Sequence, residues 1–277
     1  MNDVGPKLWL RKDTKAIKNA RGLAASLEAL DLSELIDEFR HDGVVAPQRH
    51  LVGKTYLTAG HLGVATAKKP STRLEEHLVL AMFNSSTEGR PLQRPSDGRT
   101  LRTVEYQVPL KARQIDKTGK IDALALLDDG RLCVIEAKCP PAGPKESPAR
   151  ALIELAAYVA VMAANGDPFR KEMLSAGWHA VAEAPMVGLI IGPRSWWAAW
   201  EQCRQAGRWK PPFRTLCADL GEAMGVTIAC AALEDFEPVH VTKGHSGERS
   251  VFTVMPTLGD VDDLPPLPLR CQADASG

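Results

Sequence analysis

Asp122, Glu136 and Lys138 are the residues of this chain whose types and spacing best suit chemistry. Asp122 interrupts the apolar run G-K-I-D-A-L-A-L-L, and Glu136 with Lys138 interrupts C-V-I-E-A-K. Carboxylates and ammonium groups inside buried strands are costly unless they are paired or bound to a metal. Glu136 and Lys138 stand two residues apart, so on a strand they share one face. Two carboxylates beside a lysine suit metal-assisted phosphodiester hydrolysis. A hard divalent cation held by a few carboxylate oxygens keeps water ligands for attack and neutralises charge building on the phosphate. The expected cofactor is Mg2+, with Mn2+ as a substitute, on Asp122, Glu136 and the backbone carbonyl of Ala137. An E-x-K sequence alone carries little, since an exposed Glu–Lys pair is worth under about 1 kcal/mol. The weight lies in the conjunction with the surrounding elements.

Asp128-Asp129-Gly130 separates the two apolar runs, and D-G between such runs signals a hairpin. With the alternating TVEYQVPL before them, KIDALALL and RLCVIEAK predict a three-stranded antiparallel meander. Upstream, Ser71 or Thr72 is a candidate N-cap for a helix through LEEHLVLAMF, with Glu75 at capping-box spacing from Thr72. Projecting that helix at about 100° per residue puts its apolar centroid near Glu75, with Glu76 about 100° away. Glu75 is therefore the preferred fourth acid and Glu76 the alternative; both also complement the helix dipole. Downstream, after C-P-P-A-G-P-K-E-S-P, a helix ALIELAAYVAVMAAN is expected to end at Asn165-Gly166 and Pro168. A buried strand PMVGLIIG, helices SWWAAWEQCRQAG and FRTLCADLGEAMG, and a strand VTIACAAL follow.

Here the residues resemble a known group. K-I-D-(x13)-E-A-K, preceded by an acid-bearing helix and a strand, is similar to the PD-(D/E)XK nuclease superfamily. The resemblance covers roughly Leu74 to Met162, and GKIDALALLDDGRLCVIEAK is nearest to members with a G-R-I-D…D-G…V-I-E-x-K signature. It implies a restriction-endonuclease-like fold, metal binding by Asp122 and Glu136, and a water-orienting role for Lys138. Ile121 stands where the motif's name has proline, a common departure. Some of these nucleases carry Gln-x-x-x-Tyr on the next helix; here Glu154 and Tyr158 occupy that spacing, as supporting candidates. Glu154 would repel a phosphate unless protonated, paired or drawn towards the metal.

The expected fold class is therefore α/β (α+β): a restriction-endonuclease-like mixed central sheet flanked by helices, with an N-terminal helical extension. The extension spans 1–70, with helix from about Asp13 to Arg40, a break that Asp31 or Ser33 could cap, and an irregular stretch after Val44. The nuclease-like core spans 71–240. A partly irregular tail covers 241–277, ending in a sequence with the composition of an exposed end, DDLPPLPLRCQADASG.

Composition bounds the partners. The 277 residues are 44% hydrophobic and 25% charged with a formal net charge of zero, which is ordinary for a globular chain. Basic residues nevertheless cluster: Arg49, Lys54, Lys68, Lys69 and Arg73 face no acid between Val44 and Arg73, and eight lie between Arg90 and Lys120. A basic face for nucleic acid, DNA in the first place, is compatible with that distribution. The six cysteines include no C-x-x-C pair, no signal-like segment opens the chain, and no apolar run reaches spanning length, so a reducing cytoplasm is expected. Trp196, Trp197 and Trp200 suggest a core face or a surface for a protein partner or second copy. His77 reads as solvated or at a core edge, and G-H-S-G-E lacks the G-x-S-x-G form. The competing function is a catalytically inactive nuclease-like fold that binds nucleic acid or protein.

Overall fold

The computed structural model describes residues 6–11, 17, 19–58, 61, 66–68, 74–140, 147–179, 184–201, 206–233, 237–244, 247–254 and 257–269. The candidate caps Ser71 and Thr72, and Cys203 and Cys271, lie outside these. In chain order the elements are α1 (Ala20–Ala29), α2 (Leu32–Val44), β1 (Thr66–Lys68), α3 (Leu74–Thr87), β2 (Leu92–Gln93), β3 (Thr100–Pro109), β4 (Lys120–Leu127), β5 (Leu132–Ala137), α4 (Pro148–Ala164), α5 (Gly166–Ser175), β6 (Val187–Pro193), α6 (Arg194–Glu201), α7 (Lys210–Met224), β7 (Thr227–Leu233), β8 (Glu237–Gly244), β9 (Gly247–Thr253) and β10 (Leu258–Gly259).

The D-G turn closes the hairpin of β4 and β5, which lies at the middle of the main sheet. Gly130 takes φ 80°, which glycine adopts without a Cβ penalty, and its N–H donates to the Leu127 carbonyl at 2.9 Å. Asp128 and Asp129 have a second task, accepting from the buried guanidinium of Arg99 at 2.9 and 3.0 Å. The hairpin belongs to a seven-stranded sheet of order β10-β7-β6-β5-β4-β3-β2. β3, β4 and β5 make the antiparallel meander expected, and β5, β6 and β7 run parallel. The architecture is thus mixed α/β. Because both faces are covered, every residue of β5 and β6 is buried, and each strand reads as a nearly unbroken apolar run.

The two faces have separate cores. Leu124, Leu126, Val134 and Ile190 pack with α1, α2, α4 and α7. Ala123, Ala125, Ile135 and Leu189 pack with α3 and with Phe252, Val254, Leu258 and Leu267. Strand alternation therefore sends Asp122, Glu136 and Lys138 towards the α4 side.

The structure adds elements that sequence periodicity does not signal. The break expected in the N-terminal helix is present, with Asn19 capping α1 and Asp31, one of the two candidates, capping α2. The helix expected to end at Asn165 is followed at once by α5, bent 81° from α4, with Pro168 in the first turn, where a missing N–H costs nothing. β1, inside the stretch read as irregular, pairs with β9, which pairs with β8 in a second, three-stranded sheet. The reading of the tail as an exposed end is corrected as far as its residues are described. Val261, Leu264 and Leu267 are buried, the Pro265 carbonyl accepts from Cys230 N–H at 2.7 Å, and that of Leu267 accepts from Arg94 at 2.9 Å. These apolar residues are spaced without a helix or strand period, so they leave no signal. Among the described residues no single helix is long and apolar enough to cross a membrane; α4 and α5 pass such a test only as the bent pair.

Candidate active site

The β4–β5 ladder runs from Leu126↔Leu132 to Ala123↔Ile135, and one further step sets Asp122 opposite Glu136. There Asp122 Oδ2 accepts the Ala137 N–H at 2.9 Å, so the side chain extends the ladder by one bond. Beyond β5 the Lys138 N–H donates to the Ile191 carbonyl at 2.9 Å, which keeps Lys138 in strand register. Glu136 and Lys138 are 1% and 4% exposed, so both need partners inside the protein.

Lys138 Nζ finds three carboxylates. It lies 2.6 Å from Glu136 Oε1, 2.9 Å from Glu154 Oε2 and 3.7 Å from Glu75 Oε1. Of the two helix acids, Glu75 is the one placed against the lysine; Glu76 lines the same cleft. The doubt that Glu154 raised in the sequence is met by pairing: its Oε1 accepts from Arg150 Nε at 2.8 Å while Oε2 meets Lys138. Arg150 is buried, one turn before Glu154 on α4, and also donates to the carbonyls of Arg11 and Trp9. Tyr158, one turn after Glu154, is buried with its ring 5.3 Å from that of Trp9. Asp122, Glu136, Lys138, Glu154, Tyr158 and Trp9 line a cleft of about 560 Å³, with Arg150 behind Glu154.

Burial and pairing divide the carboxyls. Desolvation lifts Asp122 to about 6, against the pull of Lys138 and the Ala137 N–H. Desolvation likewise lifts Glu136 well above the usual carboxylate range, only partly opposed by Lys138, with Asp122 and Glu154 adding repulsion. Glu154 is also desolvated, yet Lys138 and Arg150 together bring it down to about 2. Burial thus disfavours charge on Glu136, while the two neighbouring cations favour it on Glu154. The Tyr158 hydroxyl is raised by burial and by the same three acids, so it remains a phenol and a donor.

No protein-family model, curated protein or solved structure matches this chain. What the site can hold must therefore be judged from its own donors. Glu136 Oε2 is buried and has no hydrogen-bond partner among the described residues, an acceptor that a cation would satisfy. Asp122 and Glu136 supply hard oxygen donors, and magnesium is commonly bound through one or two carboxylates plus waters. Among the described residues no group of three or more His, Cys, Asp or Glu is arranged to hold an ion unaided. Water or phosphate oxygens would complete the shell, and on those terms the residues fit a divalent cation.

The other candidates lie elsewhere. Trp196, Trp197 and Trp200 are 0%, 3% and 2% exposed, so they are core residues and offer neither bases nor a partner a surface. His77 is buried and stacked on Phe252, and desolvation lowers its pKa against the pull of neighbouring Glu76, so it stays neutral. Gly244 and Gly247 pair at the β8–β9 turn, while His245 and Ser246 of that motif lie outside the described residues. Cys133, Cys139, Cys217 and Cys230 are free and buried. Several arginines in the basic stretches are structural: Arg49 binds the Thr55 and Lys111 carbonyls, and Arg94 and Arg99 pair with aspartates.

Sequence reasoning missed Arg150, Trp9, Gln107 and Lys120, which also belong to the site. Arg150 had a signal, its i, i+4 spacing to Glu154. Lys120 had one too, two residues before Asp122 on the same strand face. Trp9 had none, being more than a hundred residues distant in sequence. The Trp9 indole lies against Gly119, where an added Cβ would come within 2.2 Å of the ring. Gly119→Ala should therefore displace this wall and cost about 1–3 kcal/mol, read as a lower midpoint in urea at unchanged slope. An unchanged midpoint would mean that the Trp9 contact carries no weight.

Proposed function

We propose that this chain is a metal-dependent nuclease of the restriction-endonuclease-like fold, hydrolysing phosphodiester bonds, DNA in the first place. The observation that carries the reading is the buried Glu136 with an unsatisfied oxygen, set beside Asp122 and Lys138 at the floor of an open cleft. The sequence resemblance to PD-(D/E)XK nucleases and the mixed sheet with its meander support it.

A divalent cation held by Asp122 and Glu136 would supply charge neutralisation at the phosphate and a more acidic water. The residues do the remainder. Lys138, fixed by Glu136, Glu154 and Glu75, presents an ammonium to the attacking water and the phosphate oxygens. Glu154 holds Lys138 in place and is itself neutralised by Arg150, so its charge does not face the phosphate unopposed. Tyr158 closes the inner wall and helps keep bulk water from the acids.

Incubation with plasmid, linear duplex, single-stranded DNA and RNA, in Mg2+ or Mn2+ and again in EDTA, tests this. Cleavage of at least one form that EDTA stops and Asp122→Ala removes is the expected result. Absence of metal-dependent cleavage of every form, with Asp122→Ala indistinguishable from the unsubstituted chain, sinks the reading. A second reading, a binding subunit without catalysis, draws on the close Lys138–Glu136 pair, which already occupies one oxygen a metal would use. Salt-dependent DNA binding that outlasts loss of all three motif residues, with no hydrolysis, would select it.

A further inference from the structure

Gln107 stands across the β3–β4 ladder from Asp122, since Tyr106 pairs with Ala123 and Val108 with Ile121. Its φ is 50°, a left-handed conformation in the middle of a strand. A side-chain-bearing residue is strained there, whereas glycine would take the conformation freely. Gln107 is half-buried and lines the cleft, and among the described residues its carboxamide has no hydrogen-bond partner. Lys120, diagonal to it and two residues before Asp122 on β4, lines the same cleft, is exposed and has no ion-pair partner among the described residues. The cleft's other polar residues include five carboxylates: Glu75, Glu76, Asp122, Glu136 and Glu154. Two N–H donors of an amide and an exposed ammonium thus flank Asp122 on the β3–β4 side of the cleft.

We propose that Gln107 and Lys120 form a phosphate-holding subsite that grips the nucleic-acid backbone beside the bond to be cut. The proposal rests on the nuclease reading for its substrate. The strained backbone at Gln107 is what aims the carboxamide into the cleft, and Lys120 supplies the charge that an otherwise acidic cleft needs to retain a polyanion.

The test uses Gln107→Gly, Gln107→Ala and Lys120→Ala in the full chain. Affinity is read by fluorescence anisotropy of a labelled short DNA strand across a salt series, in a Glu136→Gln background with Mg2+ so that the strand is not cut. Lys120→Ala should weaken binding about three- to tenfold and reduce the slope against log salt by about 1. Gln107→Gly should lower kcat/KM about tenfold while leaving Tm unchanged or raised, because relief of strain offsets the looser unfolded chain. Gln107→Ala should lose kcat/KM similarly without the gain in Tm. Retention of affinity and kcat/KM within twofold in all three variants overturns the subsite, as does failure of the Glu136→Gln chain to bind the strand. Binding without cleavage by the unsubstituted chain would remove only the hydrolytic reading, and the anisotropy arm would still decide the grip.

Discussion

Asp122→Asn is expected to lower metal-dependent cleavage by about three orders of magnitude while making the metal-free protein more stable at neutral pH. The loss follows from removing one of two charged donors: metal-assisted charge stabilisation is worth several kcal/mol, and each 1.4 kcal/mol is about tenfold in rate. The gain follows from the buried charge. Desolvation raises Asp122 from 3.8 to about 6 in the folded chain. Between those values the folded state keeps a proton that the unfolded state has released, so stability falls as pH rises through that window. Above it the full cost of the ionised group is present. Asparagine carries no charge and its Oδ1 can still accept the Ala137 N–H. Thermal unfolding in EDTA should therefore show Asp122→Asn melting above the unsubstituted chain at pH 7.5 and level with it near pH 4. Added Mg2+ should raise the melting temperature of the unsubstituted chain by more than that of the variant, which lacks one of the two charged donors. A variant that cleaves within tenfold of the unsubstituted chain, or shows the same Tm difference at both pH values, contradicts this account.

How much of this was legible in the sequence depends on the range of the interaction. The β4–β5 hairpin could be read because its turn, Asp129-Gly130, and both apolar strands are contiguous, and the register then sets Asp122 near Glu136. Helical projection could only prefer Glu75 to Glu76, and both line the cleft. The role of Glu154 was not legible from its type alone: as a bare carboxylate it argues against a phosphate, and Arg150 and Lys138 reverse that argument. Gln107 was hidden because a positive φ in a strand leaves no trace in residue type unless the residue is glycine. The β1–β9 pairing and the packing of Val261, Leu264 and Leu267 were hidden because they join segments far apart in sequence or without period. The clustered arginines point the same way: Arg94 and Arg99 look like phosphate ligands by composition and prove to be internal ion-pair partners.

Lys138 is where the chemistry and the fold are most tightly bound together. Lys138→Met keeps the length of the side chain and removes the ammonium that Glu136, Glu154 and Glu75 share. Removing one partner of a buried ion pair leaves uncompensated charge and costs about 3–5 kcal/mol. For a chain of this size that is a fall in melting temperature of roughly 10 °C. The cost should shrink as pH falls, because Glu136, whose carboxyl burial already raises, can take up a proton. Glu154 should remain ionised longer, held by Arg150. Glu136→Gln introduced into Lys138→Met should accordingly recover much of the stability, giving a coupling of at least about 1 kcal/mol in a double-mutant cycle. Divalent cation provides the complementary arm. With the lysine gone, the acids are less compensated, so Mg2+ should raise the melting temperature of Lys138→Met by more than that of the unsubstituted chain, although cleavage is lost. If Lys138→Met unfolds within about 1 kcal/mol of the unsubstituted chain at neutral pH, the carboxylates around it are solvated well enough to need no partner. The argument that they are held for a metal would then lose its physical basis.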